Sequence, residues 1–149
     1  MRINRRDYYM KICDVVSERA TCNRRKVGAV LVSSGDRIIS TGYNGSPKGL
    51  PHCDDAGHLI VDNHCVRTIH AEMNAILEAK NKVDIVGSTM YVNTTPCDKC
   101  ILSIIQVGVS NVIFRGEYTS ADSLVSFLER AGLFVEPIDI GAGMLCLAI

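Results

Sequence analysis

The chain has 149 residues, of which 47% are hydrophobic and 21% are charged, and its 16 basic residues balance 16 acidic ones. This length is typical of one domain with its own core, so we expect residues 1–149 to form a single domain, and the neutral charge argues against an extended nucleic-acid-binding surface. The charged N-terminus lacks the apolar stretch of a signal peptide and no apolar run reaches membrane-spanning length, so we expect an intracellular protein without a membrane partner.

The first half of the chain predicts a helix, a β-hairpin and a long loop. Asn4 can cap a helix whose apolar residues recur at helical spacing. Two strands, Val27–Val32 and Arg37–Tyr43, flank the turn-forming sequence Ser33–Asp36. The stretch Asn44–Arg67 contains several glycines and prolines and shows little periodicity. We expect it to be a functional loop, because structureless segments of this length are uncommon in compact domains.

The second half of the chain alternates helices and strands. Thr68 can begin a helix with His70 and Glu72 in its first turn, and Thr95, followed by Pro96, can begin another. This alternation after a hairpin predicts an α/β fold, with a mixed sheet covered by helices on both faces. The other predicted elements are strands at Ser88–Asn93, Val112–Phe114 and Leu133–Ile140, and a helix at Ala121–Ala131.

Two short motifs carry the strongest chemical signal. His70-Ala71-Glu72 is followed, after a predicted strand, by Pro96-Cys97-Asp98-Lys99-Cys100. One His and two Cys give a zinc ion three protein ligands and leave its fourth position to water, as in catalytic sites. Glu72 can lie beside the metal and transfer protons without binding it. This H-x-E…P-C-x-x-C pattern is that of the zinc deaminases.

Each of these residues also has a structural interpretation. His70 and Glu72 could form a solvated helix start, and Cys97 and Cys100 could be core thiols or a redox dithiol. A purely structural zinc would need a fourth ligand, for which Glu72 is available. The joint spacing of all four residues, with Pro96 in register, favours the catalytic interpretation.

The motifs resemble the cytidine deaminase superfamily. Val27–Val30, Gly42–Pro47 and His70–Ile76 are similar to the deoxycytidylate deaminases and to their bacterial late-competence relatives. The resemblance implies a three-layer α-β-α fold with a mixed five-stranded sheet, assembled as a homohexamer. It also implies hydrolysis of dCMP to dUMP and ammonia, feeding thymidylate synthesis. In this chemistry zinc-activated water attacks C4 of the base, and Glu72 carries a proton to N3 and then to the departing amine.

The same resemblance implies residues that bind the nucleotide. Asn44 matches a residue that bonds the sugar 3′-hydroxyl, the Ala71 amide one that bonds O2 of the base, and Tyr118 an aromatic residue near the base or sugar. The alternatives are a strand exit for Asn44 and an exposed loop tyrosine for Tyr118. A basic cluster before the first predicted strand can either meet the 5′-phosphate or remain solvated: Arg24, Arg25 and Lys26.

A second group of soft ligands lies outside the main motifs. It consists of Cys22, Cys53, His64 and Cys65, and related deaminases often carry an additional structural zinc. Such an ion would order the long loop, whose composition by itself does not supply a fixed structure. Adjacent His64 and Cys65 are awkward ligands for one ion, so His58 or His52 is the alternative. Without a metal, these residues would be unrelated buried thiols and surface histidines.

The glycine-rich loop after the second predicted strand suggests regulation. Gly45, Lys48 and Gly49 could hold a dCTP activator or a dTTP inhibitor with Mg²⁺, as the resemblance implies. The alternative is that this loop only closes the substrate pocket. Two other functions share the fold: a tRNA or polynucleotide base deaminase, and a nucleotide-sensing competence-type protein without important turnover.

Overall fold

The computed structural model describes residues 1–116, 128 and 130–138. This part of the chain contains four α-helices and seven strands, with a short 3₁₀-helix at Lys82–Ile85. The helices are α1 (Arg5–Ser17), α2 (Cys53–Ala56), α3 (Ala71–Glu78) and α4 (Asp98–Gln106). The strands are β1 (Gly28–Val32), β2 (Ile38–Tyr43), β3 (Ile60–Val61), β4 (His64–Cys65), β5 (Thr89–Val92), β6 (Asn111–Arg115) and β7 (Phe134–Ile138).

The principal sheet has five strands in the order β2-β1-β5-β6-β7. Strand β1 is antiparallel to both β2 and β5, whereas β5, β6 and β7 are parallel. Strands β3 and β4 form a separate two-stranded hairpin. The predicted mixed five-stranded α/β sheet is therefore confirmed.

Helices cover both faces of this sheet because its strands are apolar on both sides. Along β1, Val30 and Val32 pack with Tyr9 and Cys13 of α1. The alternate residues of β1 belong to the larger core cluster on the opposite face, which contains residues of α3 and α4. This period of two along the strands produces the three layers of the α-β-α fold.

Glycine allows two helices to approach the sheet closely. A Cβ atom on Gly28 would lie 2.0 Å from the carbonyl oxygen of Cys13 in α1. A Cβ atom on Gly42 would lie 2.3 Å from the carbonyl oxygen of Ala71 and 2.3 Å from the amide nitrogen of Ala75, both in α3. The distance between α3 and β2 therefore depends on the missing side chain.

A polar network ties α1 to the ends of β5 and β6. Arg115 donates to both carboxylate oxygens of Asp14, at 2.7 and 3.0 Å. Asn93 donates to the same carboxylate at 3.3 Å and accepts from the amide of Gly28 at 2.9 Å. The hydrogen bonds from Arg115 lower the pKa of Asp14. The network holds Asn93, the residue that follows β5, and so fixes where the chain turns towards Cys97.

Two helices begin later than predicted. The expected start of α3 at Thr68 is wrong, because Ile69 pairs with Gly45 and keeps the chain extended until His70, the N-cap residue. The expected cap Thr95 is also wrong. Cys97 is the N-cap of α4, and its sulfur accepts a hydrogen bond from the amide of Cys100. Both shifts place a metal-ligand candidate at the boundary of a helix.

The predicted long loop contains regular structure. Helix α2 and the β3–β4 hairpin lie within Asn44–Arg67, and their short lengths explain why no periodicity is visible. Most of the helix predicted at Ala121–Ala131, the end of the last predicted strand, and Tyr118 lie outside the described residues. Among the residues that are described, no helix is long and apolar enough to cross a membrane.

Candidate active site

The candidate site lies at one edge of the principal sheet. Because β1 is antiparallel to its two neighbours, its beginning lies beside the carboxyl ends of β2 and β5. Val27 precedes β1, Asn44 follows β2, and Thr94 follows β5. All three line a cavity of about 350 Å³. Ligand sites in α/β sheets commonly occur at such strand ends.

Local pairing brings His70 to this edge. Gly45 and Ile69 exchange both backbone hydrogen bonds, at 3.2 and 2.9 Å. Asn74 in α3 donates to the carbonyl oxygen of Tyr43 at 2.7 Å and, at 3.4 Å, to that of Ile69. These contacts fix the start of α3 against the end of β2. This role of Asn74 was not predicted from the sequence, although Asn74 lies within the stretch His70–Ile76 that resembles the deaminases.

His70 and Cys97 line this cavity, and Cys100 lies beside them. His70 Nδ1 is 3.5 Å from Cys97 Sγ and 3.3 Å from Cys100 Sγ, and the three ligand atoms lie within 4.8 Å of one another. Ligands of a tetrahedral zinc ion with ordinary Zn–N and Zn–S bonds are about 3.3–3.8 Å apart. The three residues therefore fit one zinc ion and leave a fourth position for another ligand.

Hydrogen bonding within this group favours a thiolate. The bond to Cys100, with a further contribution from His70, lowers the pKa of Cys97 to about 4. The interaction with Cys97 and burial raise the pKa of Cys100, and the bond to Cys97 raises the pKa of His70. These interactions favour the thiolate form of Cys97, which is the form that binds metal.

Glu72 is buried beside the same group. Its residue is only 3% exposed, and burial raises the pKa of its carboxyl. The side chain hydrogen-bonds with Cys100. A carboxyl with a raised pKa is suited to accept and release a proton during one turnover. The arrangement thus combines a metal-ligand group with an adjacent acid/base residue.

The residues expected to bind nucleotide divide into two sets. Asn44, Ala71, Arg24 and Arg25 line the cavity. Lys26 is exposed and is not among the lining residues, so the structure does not bring it to the site. Lys26 lies between Arg25 and Val27, which both line the cavity. Neighbouring side chains of extended backbone point to opposite sides, so the side chain of Lys26 points away from the cavity.

Asn44 also has a structural role. It is buried, and its Oδ1 accepts from the amide of Val27 at 2.8 Å while its Nδ2 donates to the carbonyl oxygen of Arg25 at 2.6 Å. An asparagine side chain can make up to four hydrogen bonds, so these two leave capacity for a ligand. Arg25 in turn donates to Thr94 Oγ1 at 2.7 Å. Asn44 therefore shapes the wall that carries the arginines.

A second group of metal-ligand side chains is formed by Cys22, Cys53, His58 and Cys65, whose ligand atoms lie within 4.8 Å of one another. Cys22 Sγ is 3.4 Å from His58 Nδ1, and Cys53 Sγ is 3.5 Å from Cys65 Sγ. His64 is not in this group. The prediction of His64 as a ligand is therefore wrong, and the alternative, His58, takes its place. Adjacent residues of β4 point to opposite faces, so when Cys65 faces the group His64 cannot.

The thiols of this group differ in acidity. Burial raises the pKa of Cys53 to about 12. Burial also opposes ionisation of Cys65, but hydrogen bonds with the backbone of Arg67 and Leu59 lower its pKa to about 6. These hydrogen bonds favour the thiolate form of Cys65. His52, the other alternative ligand, lines a different surface groove.

That groove runs along the edge strand β2 and has a volume of about 1320 Å³. Gly45, Lys48 and Gly49 line it, whereas Asn44 lines the smaller cavity. The glycine-rich loop therefore separates the two spaces. A ligand in the groove would contact the loop without entering the cavity that contains Glu72.

The sequence matches the family described as the cytidine and deoxycytidylate deaminase zinc-binding region over residues 3–115. The chain belongs to this family. Family membership agrees with the cluster of His70, Cys97 and Cys100 beside the cavity, and it makes the protein a hydrolase of the deaminase class.

Several relatives and solved structures are similar to this deaminase. It is 42% identical to ComE operon protein 2 of Bacillus subtilis over 140 residues, covering 93% of this chain and 74% of that protein. It is 36% identical to the deoxycytidylate deaminase of Saccharomyces cerevisiae, covering 91% of this chain but only 45% of the yeast protein.

The similarity extends to three dimensions. The dCMP deaminase of cyanophage S-TIM5, solved in complex with dCMP and dUMP, has a TM-score of 0.74 and 32% sequence identity. The match covers 93% of this chain and 99% of the phage chain. This agreement supports the fold described above over nearly its whole length.

Proposed function

We propose that this chain is a zinc-dependent deaminase that hydrolyses dCMP to dUMP and ammonia and so feeds thymidylate synthesis. The observation that carries the proposal is the buried Glu72 beside the His70, Cys97 and Cys100 group, where Glu72, His70 and Cys97 line a cavity. The relatives named deoxycytidylate deaminases and the phage enzyme crystallised with dCMP and dUMP favour this substrate over other cytosine compounds.

The residues of the cavity have distinct roles in this reaction. A zinc ion held by His70, Cys97 and Cys100 would supply an acidic water molecule as the nucleophile. Glu72 would take a proton from this water and deliver it to N3 of the base, and it would then pass the second proton of the same water, from the oxygen added at C4, to the amine that leaves C4. Ala71 is the first residue of α3, so its backbone N–H has no acceptor within the helix. This N–H donates to O2 of the base.

Groups farther from Glu72 bind the rest of the nucleotide. Asn44 hydrogen-bonds the sugar 3′-hydroxyl with the capacity left by its two internal contacts. Arg24 and Arg25, on the cavity wall, pair with the 5′-phosphate, for which a guanidinium provides several donors.

A panel of substrates tests this function. Purified protein is assayed for ammonia release from dCMP, CMP, deoxycytidine, dCTP and single-stranded DNA. We expect dCMP to have the highest kcat/KM. Preferential release from single-stranded DNA would instead identify a polynucleotide deaminase, and absence of turnover with every compound would favour a nucleotide-sensing protein.

We also propose a structural zinc ion at Cys22, Cys53, His58 and Cys65. Four ligand atoms within 4.8 Å of one another support it, and such an ion would join α2 and the β3–β4 hairpin to the segment before β1. Elemental analysis should find two zinc ions per chain, falling to one in His58→Ala. The matched control His64→Ala should keep both, and equal loss from the two variants would contradict this ligand set.

Regulation by dCTP and dTTP with Mg²⁺, in a homohexamer, completes the proposal. The loop with Gly45, Lys48 and Gly49 on one side and Asn44 on the other supports a link between effector and substrate. Rates at subsaturating dCMP should rise with dCTP and fall with dTTP, and Lys48→Ala should weaken both effects. Identical rates in all conditions would exclude this regulation.

A further inference from the structure

The tip of the β3–β4 hairpin forms one wall of the substrate cavity. The turn between the strands consists of Asp62 and Asn63, both with positive φ, at 48° and 62°. Such a two-residue turn is typical of tight hairpins, and Asn tolerates this backbone conformation. Asn63 and His64 line the cavity, whereas Asp62 does not.

Contacts at the hairpin tip span the mouth of the cavity. Arg24 Nη2, on the wall that precedes β1, donates to the backbone oxygen of Asn63 at 3.0 Å and to its Oδ1 at 3.3 Å. These groups are exposed, whereas Glu72 at the base is buried. A nucleotide whose base reaches Glu72 therefore has its 5′-phosphate near the mouth.

The contact with Asn63 restricts an otherwise mobile side chain. Both hydrogen bonds use Nη2 of Arg24, and a guanidinium has further N–H donors on Nε and Nη1 that suit phosphate oxygens. Holding such a side chain before the ligand arrives reduces the conformational entropy lost on binding. Because Asn63 holds Arg24 in this way, its side chain is placed to affect the affinity for a nucleotide.

We propose that Asn63 is a positioning residue for phosphate recognition. It holds Arg24 across the mouth of the cavity and so increases affinity for a nucleoside 5′-monophosphate, without contacting the reacting base. The inference rests on the proposed function, because it assumes that the substrate carries a 5′-phosphate. It assigns a role to the hairpin tip that is separate from the metal-ligand groups.

Asn63→Gly tests this role, because glycine keeps the positive φ of the turn and removes only the side-chain acceptor. The matched control is Asp62→Gly, at the neighbouring turn position. Loss of this one exposed hydrogen bond should raise the KM for dCMP about fivefold in Asn63→Gly, with kcat unchanged. Asp62→Gly should retain the KM of the wild type, and zinc content and Tm should remain the same in both variants.

A double-mutant cycle shows whether Asn63 acts through Arg24. In an Arg24→Gln background, Asn63→Gly should produce no further rise in KM. An equal rise in both backgrounds, or equal KM values for Asn63→Gly and Asp62→Gly, would overturn the inference while wild-type turnover of dCMP leaves the proposed function intact. Absence of wild-type turnover of dCMP would instead overturn the proposed function, and this inference with it.

Discussion

Gly42→Ala should damage the site through the backbone of a neighbouring helix. Gly42 lies in β2, and its Cα faces the first turns of α3, the helix that begins directly after His70 and contains Glu72. The added methyl group would meet the carbonyl oxygen of Ala71 and the amide nitrogen of Ala75, each at 2.3 Å. Neither backbone atom can move without moving the helix.

The size of the effect follows from these distances. Relief of the overlap requires α3 to retreat by about 1 Å, since non-bonded heavy atoms rest at more than about 3.3 Å. A displacement of 1 Å at reacting groups can cost about 10²-fold in rate. Overpacking of this kind destabilises a protein by about 1–3 kcal/mol, which corresponds to a fall in Tm of roughly 3–9 °C at this chain length.

Steady-state kinetics and thermal unfolding measure the two effects. Gly35→Ala is the matched control, because its Cβ would have no neighbour closer than the Ser33 hydroxyl oxygen at 3.8 Å and its φ is not positive. We expect Gly42→Ala to lose about 10²-fold in kcat/KM for dCMP and Gly35→Ala to retain wild-type values. If both variants have the same kcat/KM and Tm, the close approach of β2 and α3 does not position the site.

Three further changes test the chemistry and the supporting network. Glu72→Ala should keep its zinc and its Tm but lose activity by at least about 10³-fold, because only the proton carrier is removed; near-normal turnover would refute its role. Cys97→Ser should lose one zinc ion per chain together with activity, and elemental analysis showing unchanged zinc would remove this residue from the ligand set. Asp14→Asn should lower stability at pH 7 by about 1 kcal/mol, a value reduced for the 43% exposure of the Asp14 side chain. Since Arg115 lowers the folded-state pKa of Asp14, the stabilisation is present above the unfolded pKa of about 3.9 and is lost as pH falls through the lower folded value. The urea-unfolding stabilities of the two proteins should therefore converge as the pH falls below that folded value, and a constant difference at all pH values would contradict the ion pair.

Features of the site that depend on local spacing were predictable from the sequence. Cys97 and Cys100 are three residues apart, and the first turn of a helix brings such residues together wherever the helix lies. His70 and Glu72 have a similarly short separation. The alternation of apolar segments likewise indicated the mixed sheet, because strands and helices bury their apolar faces with different periods. The chemical core and the fold class thus follow from short-range geometry.

The exact helix starts were not predictable in the same way. Thr68 and Thr95 have good capping side chains, yet the helices begin at Ala71 and Asp98. The pairing of Ile69 with Gly45, a contact across 24 positions of the chain, keeps the backbone extended up to His70. Local propensity cannot include a partner that arrives only when the chain folds.

Tertiary structure alone decided which residues meet in the long segment after β2. The sequence offered His52, His58 and His64 as partners for three cysteines, and the fold selects His58. The contact of Arg24 with Asn63 joins positions 39 residues apart and left no signal in composition or spacing. Both outcomes depend on how α2 and the β3–β4 hairpin fold back towards β1. No short-range rule determines that path, because such short elements have little hydrophobic periodicity of their own.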